Sequence, residues 1–122
     1  MASVLVIDDD AGIRRMVLRI LAAAGHQVFE AEDGREGLQR LLEYKPAVVV
    51  TDIVMPEQEG IETIRSIRTI APETRIIAIS GGGSTGKDIY LMLAKGLGAD
   101  ITLAKPFRAS ELLAVVNRLA PA

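Results

Sequence analysis

There is no cysteine among the 122 residues of this chain. That absence excludes a disulfide scaffold, a thiolate metal site and a thiol redox centre. Aromatic residues make up only 3%, so the core has to be built from Ile, Leu, Val and Ala. One histidine, His26, cannot by itself make a metal site or a proton relay. Positive charge is not in excess either. The formal net charge is −2, and the basic footprint of a nucleic-acid or anionic-membrane binder is missing. No apolar run approaches the ~18 residues that a membrane span needs. The longest, such as Val4-Leu5-Val6-Ile7 and Ala47-Val48-Val49-Val50, are strand-sized. The N-terminus lacks the positive flank and apolar stretch of a signal peptide. These absences lead to the expectation of a single cytoplasmic domain spanning residues 1–122. Disorder is excluded by 49% hydrophobic content and low net charge. A chain of this length buries about two-thirds of its unfolded surface and needs no covalent staple.

Two periodicities alternate along the chain. Short runs rich in Val and Ile predict strands at Ser3–Ile7, Val28–Ala31, Ala47–Thr51, Arg75–Ile79 and Asp100–Ala104. Three of them are nearly continuous hydrophobics, the pattern of strands buried on both faces of a parallel sheet. Helical spacing fills the gaps. Ile13, Val17, Ile20, Leu21 and Ala24 share one face of the first helix, with Arg14, Arg15 and Arg19 on the other. Asp33 to Glu36 reads as a capping arrangement ahead of Leu38, Leu41 and Leu42. Ile61, Ile64 and Ile67 mark a third helix, residues Lys87 to Leu97 a fourth, and Leu112, Val115, Val116 and Leu119 a fifth. His26 follows the helix stop Gly25 and reads as a turn residue; Tyr44 reads as helix-end packing. The sum is five βα units, an α/β doubly wound fold with helices on both faces of the sheet.

Open α/β sheets bind ligands outside the carboxyl ends of their strands. The first strand ends in Asp8-Asp9-Asp10, the third in Thr51-Asp52, the fourth in Ser80 and the fifth near Lys105-Pro106. The second strand offers no comparable group, which suggests an outer edge. Each residue alone has an ordinary explanation: Asp9 or Asp10 as a helix cap, Asp52 as a turn residue, Ser80 in a loop, Lys105 on the surface. Together they would require four strand ends to carry reactive groups by chance. Carboxylates in one pocket repel by roughly 4 kcal/mol per pair at ~4 Å and an effective dielectric of 20. Such a cluster needs a cation. A few oxygen ligands favour Mg²⁺ held by one or two carboxylates, water and phosphate. A carboxylate beside that ion can act as a nucleophile and form an aspartyl phosphate.

These residues resemble the receiver domain of a bacterial two-component response regulator. The resemblance rests on Val4–Asp10, on Thr51-Asp52-Ile53-Val54-Met55-Pro56 with Gly60 following, on Ile79-Ser80-Gly81, and on Gly98-Ala99-Asp100 leading to Lys105-Pro106-Phe107. It implies a flavodoxin-like five-stranded parallel sheet in the order 2-1-3-4-5. It also implies that Asp52 accepts a phosphoryl group from a sensor histidine kinase or phosphotransfer protein. Asp8 and Asp9 would hold Mg²⁺ (or Mn²⁺) with Asp52 and the backbone carbonyl of Val54, Asp9 being the more direct ligand. Ser80 would hydrogen-bond the phosphoryl group and shift on activation. Lys105 would pair with the phosphoryl group, or with carboxylates in its absence, and the Lys105–Pro106 bond would be cis. The only chemistry implied is the domain's own phosphorylation and dephosphorylation, with no separate enzyme activity. Output would go to a protein partner through the fourth helix, fifth strand and fifth helix, with no direct contact to nucleic acid or membrane. The same features would suit a stand-alone receiver or one belonging to a longer regulator.

The chain also departs from the family pattern. Thr102 stands where an aromatic switch residue is common. Glu59 replaces a common Asp before Gly60, and Gly81 a small Ala. Val54 and Gly82 occupy positions that tune hydrolysis, and neither side chain can orient water, so slow self-dephosphorylation is expected. Gly81-Gly82-Gly83 makes a permissive loop after Ser80, suited either to reorganisation or simply to an irregular turn. Ile89, Tyr90, Leu91, Met92 and Leu93 make the fourth helix apolar nearly all round, as a partner contact or as isolated exposed residues. Two rival readings remain. Gly81 to Asp88 approaches a phosphate-binding P-loop, but Asp88 stands where a Ser or Thr is needed. Asp8-Asp9-Asp10 also offers the Asp-x-Asp of a haloacid-dehalogenase-like phosphatase, in which Asp8 would be the nucleophile.

Overall fold

Val- and Ile-rich runs become strands in the computed structural model, which describes residues 2–53, 59–80, 95–96 and 98–121, with the backbone alone for Glu59. The strands are β1 (Ser3–Ile7), β2 (Gln27–Ala31), β3 (Val48–Asp52), β4 (Arg75–Ser80) and β5 (Ile101–Ala104). They form one parallel sheet in the order β2-β1-β3-β4-β5, as the resemblance implies. Four described helices accompany it: α1 (Ala11–Ala23), α2 (Gly34–Tyr44), α3 (Glu59–Ile70) and α4 (Ala109–Leu119). The helix expected over 87–97 and the glycine-rich segment before it lie outside the described residues, except that Lys95 and Gly96 are helical.

Side chains alternate across a strand, so each central strand feeds two cores. Leu5, Ile7, Val49, Ile76 and Ala78 point to the face covered by α2 and α3, where Leu41, Ile64 and Ile67 meet them. Val4, Val6, Val48, Val50, Ile77 and Ile79 point to the face covered by α1 and α4, against Val17, Leu21, Leu112 and Val116. This is why β1, β3 and β4 read as unbroken hydrophobics. Each fully buried Ile or Leu contributes about 2 kcal/mol by leaving water. The edge strands β2 and β5 are only partly buried.

Helix starts follow local chemistry. Asp10 Oδ1 accepts the Gly12 and Ile13 N–H groups at 2.9 and 3.2 Å, capping α1. Asp33 Oδ1 accepts the Glu36 N–H at 2.8 Å and caps α2. Tyr44, at the end of α2, stacks on Phe29 with ring centroids 4.1 Å apart. The segment before β5 is held by a denser node. Arg68 donates to the carbonyls of Pro72, Thr74 and Gly98 and to Asp100 Oδ2, at 2.6 to 3.0 Å. Asp100 Oδ2 also accepts the Ile76 N–H at 2.8 Å. Gly98 sits at φ +120°, and a Cβ there would lie 3.0 Å from Arg68 Nε. Glycine at this point satisfies both the backbone and the guanidinium. Asp100 therefore serves as a side-chain anchor ahead of β5 rather than as its first residue.

His26, expected as a turn residue, lies just past the turn at Ala24 and Gly25. It is buried, with Nδ1 accepting the Ala2 N–H at 3.0 Å and Nε2 facing Asn117 Oδ1 at 3.0 Å. The imidazole thus ties the start of β1 to the last helix. Replacing it leaves a buried donor without a partner, which costs about 1–3 kcal/mol. His26→Ala should lower unfolding stability by that amount in urea titrations, with no change in the denaturant slope.

Candidate functional site

Parallel pairing in register brings the carboxyl ends of the strands to one edge. Asp52 is the last residue of β3 and pairs with Ile79; Ser80 is the last of β4 and pairs with Ala104. Both lie inside their strands, one residue further than the apolar runs suggested, because the ladders continue through them. Asp8 follows β1, and its N–H donates to the Ala31 carbonyl at 3.1 Å. Carboxylate oxygens of Asp8, Asp9 and Asp52 all lie within 4.8 Å of one another. Asp8 and Asp52 are buried and Asp9 is exposed. Lys105 reaches in from the β5–α4 loop. Its Nζ donates to Asp52 Oδ2 at 3.0 Å and stands 3.8 Å from Asp8 Oδ2. The Lys105 N–H bonds the Ser80 carbonyl at 2.8 Å, and the Lys105–Pro106 peptide is cis. Asp8, Asp9, Asp52 and Lys105 therefore meet, and Ser80 ends the strand beside Asp52. Val54 lies outside the described residues, as do Gly81 and Gly82.

Gly60 explains a further part of the motif. A Cβ there would come within 2.5 Å of the Asp52 carbonyl oxygen and Ile53 Cα, so α3 begins directly against the backbone that carries Asp52. Ser80 is fully buried, and among the described residues its Oγ has no hydrogen-bond partner. A buried hydroxyl without a partner is costly and is a ready donor to an incoming oxygen.

Electrostatics set what the site can hold. Three carboxylates face one ammonium, leaving an excess of negative charge. The Asp8 carboxyl is pushed up to about 6, chiefly by burial, with the Asp52 and Asp9 charges acting the same way. The Asp10 N–H, donating to Asp8 Oδ1 at 2.9 Å, and Lys105 pull against that rise. An all-oxygen, net-negative donor set fits a hard divalent cation held by Asp8, Asp9 and Asp52.

Two residues not anticipated as part of the site stand behind it. Arg14 is not on the solvent face of α1. Its side chain is only 14% exposed and donates to the Asp8 carbonyl at 2.8 Å and to Glu30 Oε1 at 3.1 Å. Helical side chains lean toward the helix N-terminus, so a residue one turn past the cap Asp10 reaches back over Asp8. That spacing was the available signal. Glu30 gives β2 an indirect link to the site.

A family model described as response regulator receiver domain matches residues 4–117. The chemotaxis protein CheY of Thermotoga maritima is 38% identical over 117 residues, covering 95% of both chains. The response regulator MprA of Mycolicibacterium vanbaalenii is 35% identical over 116 residues, and the chain spans 49% of its length. Among solved structures, CheY4 of Vibrio cholerae gives a TM-score of 0.84 at 32% identity, covering 98% of each chain. NtrX of Brucella abortus gives 0.89 at 31% identity, with 97% of this chain matched to 26% of that one.

The shift at Asp8 has a defined sign. A carboxyl whose folded value lies above its ordinary 3.8 adds stability below about pH 4, and that stability is lost as pH rises through about 6. In chelator-treated protein, Asp8→Asn should therefore melt higher than the parent at pH 7, by up to roughly 3 kcal/mol of stability. The gap should close near pH 4. Thermal melts across that range check it.

Proposed function

Because the chain belongs to the response regulator receiver family, we propose that it takes a phosphoryl group onto Asp52 from a phosphohistidine of a sensor kinase or phosphotransfer protein. The observation that carries this reading is the meeting of Asp52 with Lys105, at 3.0 Å, inside the Asp8–Asp9–Asp52 cluster. An Asp52 carboxylate oxygen attacks phosphorus. The O–P bond forms as the N–P bond breaks, and the bonding pair returns to the imidazole nitrogen. Lys105 transfers its hydrogen bond from Asp52 Oδ2 to the phosphoryl oxygens, adding positive charge where negative charge gathers. Ser80 Oγ donates to another of those oxygens. Asp8, Asp9 and Asp52 would hold Mg²⁺ or Mn²⁺, with the Val54 backbone carbonyl that the resemblance implies, and the ion would supply charge that neutralises the phosphoryl group.

The site acts on its own carboxylate, so the protein works as a switch rather than as an enzyme with a released product. No described helix is long and apolar enough to cross a membrane. That supports a cytoplasmic setting, where phosphohistidine kinases deliver their phosphoryl groups. Output goes to a protein through the segment 87–97, β5 and α4, as the resemblance implies. In support, β5 is an edge strand with all four residues partly exposed. Thr102 lies on that strand, so any relay from Ser80 runs without an aromatic ring there.

Incubation with Mg²⁺ and acetyl phosphate, followed by intact mass measurement, tests this function. The parent should gain one phosphoryl group and Asp52→Asn none. Lys105→Met should label about a hundredfold more slowly. Labelling of Asp52→Asn but not of Asp8→Asn would move the nucleophile to Asp8 and overturn the reading.

A further inference from the structure

Three hydrogen bonds to groups outside the acidic cluster hold Asp8. Its N–H donates to the Ala31 carbonyl at 3.1 Å, its Oδ1 accepts the Asp10 N–H at 2.9 Å, and its carbonyl accepts Arg14 Nη1 at 2.8 Å. The third hold is the only one made by a distant side chain. The Arg14 guanidinium is itself fixed by Glu30 Oε1 at 3.1 Å, and Glu30 stands on β2 in register with Val6 of β1. Arg15 lies next in sequence and carries the same charge, but its side chain is 66% exposed and only approaches Glu30, at 3.7 Å.

We propose that Arg14 and Glu30 form a positioning clamp that sets the β1–α1 turn so that Asp8 and Asp9 present their carboxylates to a divalent cation beside Asp52. The inference rests on the phosphoacceptor reading above and assigns it two further residues. A planar guanidinium reaches two acceptors in fixed directions at once, whereas an ammonium's three donors rotate freely and impose no such spacing. Without the fork, the Asp8 carbonyl loses its partner and the turn regains freedom that metal binding must then remove. Groups that orient metal ligands from behind typically account for about ten- to a hundredfold in affinity.

Simple electrostatics makes the opposite forecast. Arg14 is a cation close to an acidic cluster, so deleting its charge should by itself tighten the binding of another cation. The sign of the change therefore separates positioning from charge.

Calorimetric titration of the intact chain with Mg²⁺ alone is the test. Arg14→Met and Glu30→Gln should each weaken Mg²⁺ about tenfold. Arg14→Lys should weaken it less, and Arg15→Ala should keep the parent affinity. At saturating Mg²⁺, Arg14→Lys should still take one phosphoryl group from acetyl phosphate. Mg²⁺ binding to Arg14→Met that equals or exceeds the parent's would overturn the clamp. If Arg14→Met is unfolded by circular dichroism, Arg14→Lys, which keeps the charge and loses the fork, decides by the same criterion. A parent that neither binds Mg²⁺ nor labels defeats the phosphoacceptor reading and the clamp with it. A parent that does both, with variants matching it, defeats the clamp alone.

Discussion

Repulsion among Asp8, Asp9 and Asp52 governs this structure more than any single attraction. Their oxygens lie within 4.8 Å of one another at a partly buried edge, where water screens them poorly. Lys105 offsets part of that charge through its 3.0 Å bond to Asp52. Protonation of Asp8 offsets more, but only in mildly acidic solution. What remains at neutral pH is a standing demand for positive charge. The same demand makes the edge receptive to a hard cation, and then to a phosphoryl group whose oxygens need both that cation and the lysine.

Holding like charges together requires a scaffold that cannot relax. The hydrophobic sheet supplies it. β1 and β3 are buried on both faces, so their ends cannot splay without exposing Ile7, Val50 or Ile53. β5 has less core behind it and relies on polar fastening instead. Arg68 and Asp100 fix its start, and the Lys105 N–H bond to the Ser80 carbonyl fixes its end. The Gly98-Ala99-Asp100 motif thereby acts on the site from the far end of the strand. Gly98 leaves room for Arg68, and Asp100 gives Arg68 its partner.

Much of this was legible in the chain. Short runs of Val and Ile and helical spacing located every described strand and helix, because strands covered on both sides are apolar throughout and helices are apolar on one face. The residues at the strand ends were also legible, since parallel βα units send those ends to one edge. The polar fastenings were not legible, for one common reason. Arg14 was placed on the face of α1 away from the core, His26 was read only as a turn residue, and nothing marked Arg68. Each is instead wholly or largely buried with its donors and acceptors matched across elements that are far apart in sequence. His26 and Asn117 are separated by 91 positions, and Arg68 and Asp100 by 32. No local pattern carries such pairings.

The order of apolar and polar residues by itself determined the α/β class, the strand count and which carboxylates, hydroxyl and lysine stand at the strand ends, while their roles came from the family resemblance. Those properties depend on periodicity and on which residue ends each strand, and both are written locally. Only the tertiary structure decided how the carboxylates share one lysine, which of them is buried enough to hold a proton, and that Ser80 Oγ lacks a described partner. It alone placed Arg14 against the Asp8 carbonyl. Distances between strands, and the burial that raises or lowers a charge, arise only when the sheet is assembled. Charge at this edge is therefore a property of the fold, while the residues that bear it are a property of the chain.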